Sequence, residues 1–119
     1  MKNSLLLFAL LYSISLKAGF ITKDEYAKML YQNPRGIGCD KCHGEDGEGM
    51  VMSIYIKNGE EKELKAPRIN DIGIKSFLAS FEKRSNLMPV YFLTQKEKAY
   101  LYYYLSTKLD KKEDDNESR

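Results

Sequence analysis

The residues of this chain that could do chemistry lie together in one short segment. Residues 39–44 read CDKCHG and hold both cysteines and the only histidine of the 119 residues. Thiolate and imidazole are ligands for soft and borderline metals, and two thiols this close in sequence can also form a disulfide. Each hypothesis about function therefore has to start from Cys39, Cys42 and His43.

Four kinds of site are compatible with this CxxCH segment. The thiols could form a simple disulfide in an oxidising compartment. They could also act as a thioredoxin-like redox dithiol, but that motif belongs to a βαβ fold, and the sequence shows no central parallel strands. A structural zinc would need a fourth ligand, and no further cysteine or histidine is present; a carboxylate could serve, but such a site would be unusual. Covalent c-type haem fits best, because two thiols at this spacing can reach the vinyl groups on one porphyrin edge and the next histidine then lies under the iron.

The N-terminal residues support the haem hypothesis, because haem is attached to bacterial proteins outside the cytoplasm. Residues 1–18 have a basic start at Lys2, an almost unbroken apolar run and Ala18 as a small residue for cleavage. The run, about a dozen residues, has the length found in signal peptides and is short for a membrane span; a buried N-terminal helix is the alternative. We therefore expect a periplasmic protein, held at the membrane only if this signal stays uncleaved.

The charge of the chain excludes one class of function. Removing residues 1–18 removes Lys2 and Lys17, which leaves seventeen basic against seventeen acidic side chains. A neutral chain without a stripe of lysine and arginine offers no surface for the phosphate neutralisation on which nucleic-acid binding depends. We therefore expect no nucleic-acid partner.

Two well-marked helices should lie on either side of the CxxCH segment. Thr22 and Glu25 form a capping-box pattern at the start of a first helix, which should end before Pro34 because the residue that precedes a proline avoids helical geometry. Thr94 and Glu97 repeat the capping-box pattern at the start of a last helix. The apolar residues at helical spacing on these two helices are Tyr26, Met29 and Leu30, and Leu101, Tyr104 and Leu105.

Between and beyond these helices the pattern is weaker. Apolar residues at three- and four-residue steps predict a short helix over 74–81. The Asn58-Gly59 pair is a strong hairpin signal and predicts a poorly buried two-stranded excursion over 52–64. The tail, residues 108–119, is highly charged, so we expect it to be solvated and disordered.

A methionine is the expected second axial ligand, since thioether ligation raises the potential of a histidine-ligated haem. Met29 lies in the middle of the first helix on its apparent core face, where we expect it to be a packing residue. Met50 and Met52 follow the histidine so closely that the chain would be taut in reaching the opposite face of the macrocycle. Met88 lies 45 residues beyond the histidine on a loop between two helices, and Pro89 stiffens that loop. We therefore predict that Met88 ligates the iron.

Taken together, these segments resemble the small monohaem cytochromes c of class I. That family has a helix leading into CxxCHG, a proline whose carbonyl holds the axial histidine, a Met-Pro loop and a C-terminal helix. The corresponding segments here are CDKCHG, APRI, LMPVYFLT and EKAYLYYYL. The resemblance covers about residues 22–107 and implies that Pro67 supports His43; residues 50–65 have no counterpart in the minimal family pattern.

The resemblance implies an all-α cytochrome c fold over residues 19–107, with three main helices around one haem c and a small β-hairpin insertion. Cys39 and Cys42 would hold the haem, and His43 and Met88 would ligate its iron. The chain would be an electron carrier rather than an enzyme, working between a quinol–cytochrome c reductase and a terminal oxidase or peroxidase. The side chains expected to keep water from the haem are Ile37, Ile69, Phe77, Leu78, Leu87 and Tyr91.

Two functions of other classes stay open at this point. One is a haem-based sensor or gas binder, in which Met88 is absent from the iron or is displaced by the ligand. The other is an extracytoplasmic thiol–disulfide oxidoreductase without haem.

Overall fold

The computed structural model describes residues 19–117, and the predicted signal peptide over 1–18 lies outside them. In chain order the elements are α1 (Lys23–Gln32), α2 (Asp40–His43), β1 (Met50–Lys57), β2 (Glu60–Ala66), α3 (Ile74–Ser80) and α4 (Gln95–Glu117). The protein is therefore a small, mostly helical domain with one two-stranded antiparallel hairpin. Within the described part of the chain, no helix has both the length and the apolar character needed to cross a membrane.

Helix α1 begins where its capping box predicts. The hydroxyl of Thr22 accepts a hydrogen bond from the N–H of Glu25 at 3.2 Å, and the Glu25 carboxylate accepts one from the N–H of Thr22 at 2.8 Å. These two bonds satisfy N–H groups that a helix start leaves without partners. The helix ends at Gln32, with Asn33 as its C-cap before Pro34, which confirms the boundary predicted from the proline.

Helix α4 also begins at its predicted capping box but extends further than expected. The N–H of Thr94 donates to the Glu97 carboxylate at 2.7 Å, and the N–H of Glu97 donates to the Thr94 hydroxyl at 3.2 Å. The helix continues to Glu117, through residues for which the charged sequence predicts a disordered tail from Lys108. Lys108, the first of these residues, is half-buried and forms an ion pair with Asp46 at 3.3 Å.

The core forms where α1, α3 and α4 meet. Its buried members are Ala27, Leu30 and Tyr31 of α1, Phe77 of α3, and Leu101, Tyr104 and Leu105 of α4. The prediction that Met29 belongs to this face is wrong, because its side chain is 56% exposed. With 3.6 residues per turn, a position two residues from both Ala27 and Tyr31 falls on the opposite side of the helix.

The hairpin confirms the predicted excursion and lengthens it by a few residues. Asn58 and Gly59 have φ values of 55° and 80°, as a two-residue turn of type I′ requires. Strand β1 pairs with β2 in the register that the turn dictates, with Ile54 opposite Glu63 and Ile56 opposite Glu61. Because these pairs join an apolar to a charged side chain, they cannot form a dry face, and every residue of β1 is exposed.

Candidate functional site

The CxxCH segment forms a single helical turn whose position is set by α1. Cys39 is the N-cap of α2, and its N–H donates to the carbonyl of Tyr31, near the end of α1, at 2.8 Å. The N–H of His43 donates in turn to the Cys39 carbonyl at 2.8 Å. The two thiols are free and half-buried, and their three-residue spacing places them on the same side of the turn.

The imidazole of His43 has one nitrogen engaged and the other available. Its Nδ1 lies 2.8 Å from the carbonyl oxygen of Pro67. A carbonyl can only accept, so Nδ1 carries the proton and donates, and Nε2 of the neutral ring keeps its lone pair. A histidine oriented through one nitrogen by a backbone carbonyl is the usual arrangement of a metal-ligating imidazole, because the hydrogen bond fixes the ring and raises its basicity. The structure thus brings together the two residues that the resemblance pairs.

The Pro67 carbonyl is held in place by a clip between two loops. The N–H of Ile69 donates to the Gly47 carbonyl at 2.8 Å, and the side-chain amide of the buried Asn70 donates to the Asp46 carbonyl at 2.9 Å. Two loops that would otherwise be free are therefore tied together just beyond Pro67.

Gly49 completes the clip because only glycine fits there. Its N–H donates to the His43 carbonyl at 2.7 Å, and its φ of 80° lies in the left-handed region. A Cβ at this position would lie 2.8 Å from the Ala66 carbonyl oxygen and 2.9 Å from the Arg68 nitrogen. The backbones that carry His43 and Pro67 can approach each other only because this side chain is absent.

Two adjoining cavities open beside the imidazole. The larger measures about 290 Å³ and the smaller about 210 Å³, which together fall in the size range of small-molecule and cofactor sites. Residues that line both cavities are Cys39, His43, Pro67, Ser80 and Met88; Cys42 lines the larger one. Every site residue predicted from the sequence thus lines the larger cavity, and the two cavities together are called the crevice below.

Of the four methionines in the described part of the chain, two reach this crevice. Met88 lines both cavities, whereas Met29 and Met50 line neither. Met52 lines the larger cavity, which the sequence did not predict. The register of the hairpin shifts between Val51 and Ser53, and such a bulge re-aims the side chain that it leaves unpaired. Sequence pattern alone gave no signal for this bulge.

The expected apolar lining is present in part. Leu87 and Tyr91 line the larger cavity, and Ile69 and Phe77 line the smaller one. Leu78 instead packs against the helical core, and Ile37 is 59% exposed. Neither residue lines either of the two cavities, so their expected part in keeping water from the haem stays a prediction.

The charged residues of the crevice are all cationic. Lys65 and Lys83 line the larger cavity and Arg68 lines the smaller one, with no acidic residue in either lining. In surroundings that are otherwise mostly apolar, three cations favour a ligand that combines a large apolar body with negatively charged groups. This feature was not predicted from the sequence.

Two alternatives to a haem site gain little from this geometry. Burial raises the pKa of the Cys39 thiol to about 11, whereas catalytic dithiols depend on a lowered thiol pKa. Among the side chains that the structure describes, those of residues 19–109, no group of three or more His, Cys, Asp and Glu converges as a metal site would require.

We compared the chain with protein-family models, with curated proteins and with solved structures, and none of the three comparisons found a match.

Proposed function

We propose that this protein is a one-electron carrier of the class I cytochrome c type, with one covalently attached haem c. The observation that carries the proposal is the setting of His43. Its Nδ1–H is held by the Pro67 carbonyl at 2.8 Å, it directly follows two free thiols, and it borders a crevice that Met88 also lines. A bis-thioether haem with histidine and methionine ligation would use all of these features together.

The donor set and the crevice fit the proposed group. Cys39 and Cys42 would supply the two thioether sulfurs, His43 would bind iron through the free Nε2, and Met88 would supply a soft sulfur ligand. The crevice is largely apolar, as a porphyrin face requires, and the haem propionates would find counter-charges at its border. The cations at the border are Lys65, Arg68 and Lys83, of which Lys65 also pairs with Glu63 and Arg68 with Asp71.

When bound, haem iron alternates between the ferrous and ferric states and so carries one electron without transforming a substrate. The residues of the chain would tune that exchange. The hydrogen bond from His43 to the Pro67 carbonyl fixes the imidazole and raises its basicity. A thioether from Met88 would favour ferrous iron, and the buried apolar side chain of Phe77 would exclude water from the smaller cavity, both of which raise the potential.

The elements of the fold are compatible with a cytochrome c fold. Helices α1, α3 and α4 pack around a common core, with the CxxCH turn directly after α1 and the Met-Pro segment directly before α4. The hairpin over Met50–Ala66 is the addition to that pattern. We further propose a periplasmic location, with a quinol–cytochrome c reductase as electron donor and a terminal oxidase or peroxidase as acceptor.

A pyridine haemochrome spectrum of the purified protein, followed by acid-acetone extraction, tests the proposal. We expect a c-type spectrum, colour that stays with the polypeptide, and a mass that exceeds the peptide mass by one haem. A Cys39→Ser, Cys42→Ser double variant should release its colour into the solvent. A colourless wild-type protein with thiol–disulfide exchange activity would support the oxidoreductase alternative instead.

The ferric and ferrous spectra separate a carrier from a sensor. A carrier should show the weak red sulfur-to-iron charge-transfer band in the ferric state and bind carbon monoxide slowly in the ferrous state. A wild type that lacks this band and binds carbon monoxide rapidly would be a gas binder.

A further inference from the structure

The methionine loop, residues 81–94 between α3 and α4, carries Met88 without regular secondary structure. On the N-terminal side of Met88, the hydroxyl of Ser85 accepts hydrogen bonds from the N–H groups of Leu87 and Met88, each at 3.2 Å. Among the described residues, no backbone–backbone hydrogen bond involves 84–93. The C-terminal side of the loop therefore depends on side chains for its position.

Two hydrogen bonds join that C-terminal side to the 33–38 loop, the connection between α1 and α2. The guanidinium of Arg35 donates from Nη2 to the Phe92 carbonyl at 2.6 Å. The hydroxyl of Tyr91 donates to the Ile37 carbonyl at 2.7 Å. Each loop thus supplies one side-chain donor and one backbone acceptor, and two bonds of opposite direction fix both the spacing and the register of the two loops.

Arg35 is itself fixed by a second set of contacts. Its guanidinium donates to both carboxylate oxygens of Glu97, at 2.8 and 2.9 Å, in the bidentate geometry that gives the strongest and most directional ion pairs. Glu97 is buried and also accepts a bond from the Tyr26 hydroxyl at 3.1 Å. The hydrogen bond from Arg35, followed by that from the Thr94 N–H, lowers the pKa of Glu97, so the pair is charged at neutral pH.

The backbone of Arg35 shows that this arrangement has a conformational cost. Its φ is 61°, in the left-handed region that side chains other than glycine rarely adopt. Such strain persists where surrounding contacts overdetermine a residue, and it is concentrated at functional sites. Here those contacts lead to the loop that carries Met88.

We propose that Arg35 and Tyr91 are positioning residues that latch the methionine loop and so keep the Met88 sulfur on the iron. The latch rests on the proposed function, because it matters for chemistry only where Met88 is a ligand. Ser85 holds the near side of the loop and the latch holds the far side, so that Met88 lies between two anchors. Loss of the latch should let Met88 leave the iron while the helical core stays folded.

Carbon monoxide binding to the ferrous holoprotein measures this directly, because the gas can bind only when Met88 has left. Tyr91→Phe removes one neutral hydrogen bond, so the observed rate should rise roughly twofold to tenfold. Arg35→Ala removes charge-assisted bonds and should raise the rate by about tenfold or more. Arg35→Lys should restore part of the wild-type behaviour, since lysine keeps the charge without the planar fork.

Arg84→Ala is the matched control, since Arg84 is an exposed arginine of the same loop, and it should bind carbon monoxide at the wild-type rate. A second measurement separates the latch from general destabilisation. In Tyr91→Phe and Arg35→Ala, the ferric red band should disappear at a lower temperature than the helical circular dichroism signal, with a wider gap than in wild type.

The latch is wrong if Tyr91→Phe and Arg35→Ala bind carbon monoxide at the wild-type rate. It is also wrong if the ferric red band and the helical circular dichroism signal disappear at the same temperature in both variants. Should Arg35→Ala fail to fold, Tyr91→Phe decides the matter, because it removes a single hydroxyl that lies outside the core. A wild-type holoprotein without the red band would overturn the proposed ligation by Met88 together with the latch. Variants with an unchanged band and unchanged rates would overturn the latch alone.

Discussion

The two sides of the crevice are built in different ways. His43 ends a helical turn that is tied to α1, and backbone bonds and a buried amide join residues 44–49 to residues 67–70 behind it. Met88 lies on an irregular loop that is held in place by side-chain hydrogen bonds instead. The side chains that anchor the loop are Ser85, Arg35 and Tyr91.

Under the proposed function, this difference should separate exchange of the Met88 ligand from unfolding of the domain. Backbone hydrogen bonds next to the core open only when the core opens, whereas an irregular loop with few backbone bonds belongs to the low-stability end of a protein. Changes on the Met88 side should therefore alter the spectrum and potential before they alter stability. Changes on the His43 side should alter both together.

The largest spectroscopic effect should come from Met88→Ala. Loss of the soft sulfur ligand should lower the potential by ~0.1 V or more, within the range over which axial ligands act. It should also erase the ferric red band and open the ferrous iron to carbon monoxide, while the haem stays covalently attached. Redox titration, absorption spectroscopy and acid-acetone extraction measure these three outcomes.

Met52→Ala is the matched control for this prediction, because the same type of side chain lines the same cavity. It should leave the band, the potential and the carbon monoxide rate close to wild type. Disappearance of the band in Met52→Ala, with the band retained in Met88→Ala, would transfer the ligand role to the hairpin.

On the His43 side, Gly49→Ala should reduce the free energy of unfolding by about 2 kcal/mol or more. A left-handed residue other than glycine costs roughly 1–2 kcal/mol, and here a Cβ would also meet the backbone around Pro67. Gly59→Ala is the control, since Gly59 has the same φ of 80° but no atom within 4 Å of an added Cβ. Denaturant unfolding followed by circular dichroism should show a clearly smaller loss for Gly59→Ala. Equal losses in the two variants would mean that the contact with Pro67 contributes nothing.

Acid should act on the Met88 side through Glu97. Its hydrogen bonds lower the pKa of this carboxyl from the ordinary value of 4.5. A carboxyl with a depressed pKa in the folded state stabilises the protein above its ordinary pKa, and this contribution is lost as pH falls through the folded pKa. Below about pH 4.5, the free energy of unfolding should therefore fall more steeply with pH in wild type than in Glu97→Gln. The difference between the two slopes should correspond to at most one bound proton. Parallel acid-unfolding curves for the two proteins would contradict this coupling.

The parts of the fold that the sequence predicts depend on short-range sequence patterns. A capping box or an Asn-Gly turn involves residues three or fewer positions apart, so Thr22, Thr94 and Asn58 mark real boundaries. The CxxCH segment is equally local. The pairing of Pro67 with His43 came from the resemblance, and no property of the residues between them would have revealed it.

The parts that the sequence did not predict depend on distant contacts. Arg35 and Glu97 are 62 residues apart, and each appears in sequence as an ordinary charged residue. Apolar spacing does not show which of two overlapping faces of α1 is buried. It therefore wrongly places Met29 in the core, whereas Ala27 is the fully buried residue of that helix. Met52 reaches the crevice only through a bulge, and α4 extends past Thr107, where Lys108 forms an ion pair with the distant Asp46.

The smallest effect should come from replacing residues 53–63, the outer part of the hairpin, with a short glycine linker. The strand β1 is exposed throughout, and the hairpin lines the larger cavity through Met52 of β1 and Lys65 and Ala66 of β2, all at its base, which the replacement keeps. The red band, the potential and the rate of reduction by ascorbate should therefore stay at wild-type values, and the free energy of unfolding should change by less than ~1 kcal/mol. For a domain of this size that corresponds to roughly 4–8 °C or less in the melting temperature.

A lost spectrum or a larger drop in stability would mean that the outer hairpin supports the His43 side of the crevice. The His43 side would then depend on the hairpin as well as on its backbone hydrogen bonds. If only the rate with a protein electron donor falls, the outer hairpin acts in recognition, which is the role that its exposed Ile54 and Ile56 favour.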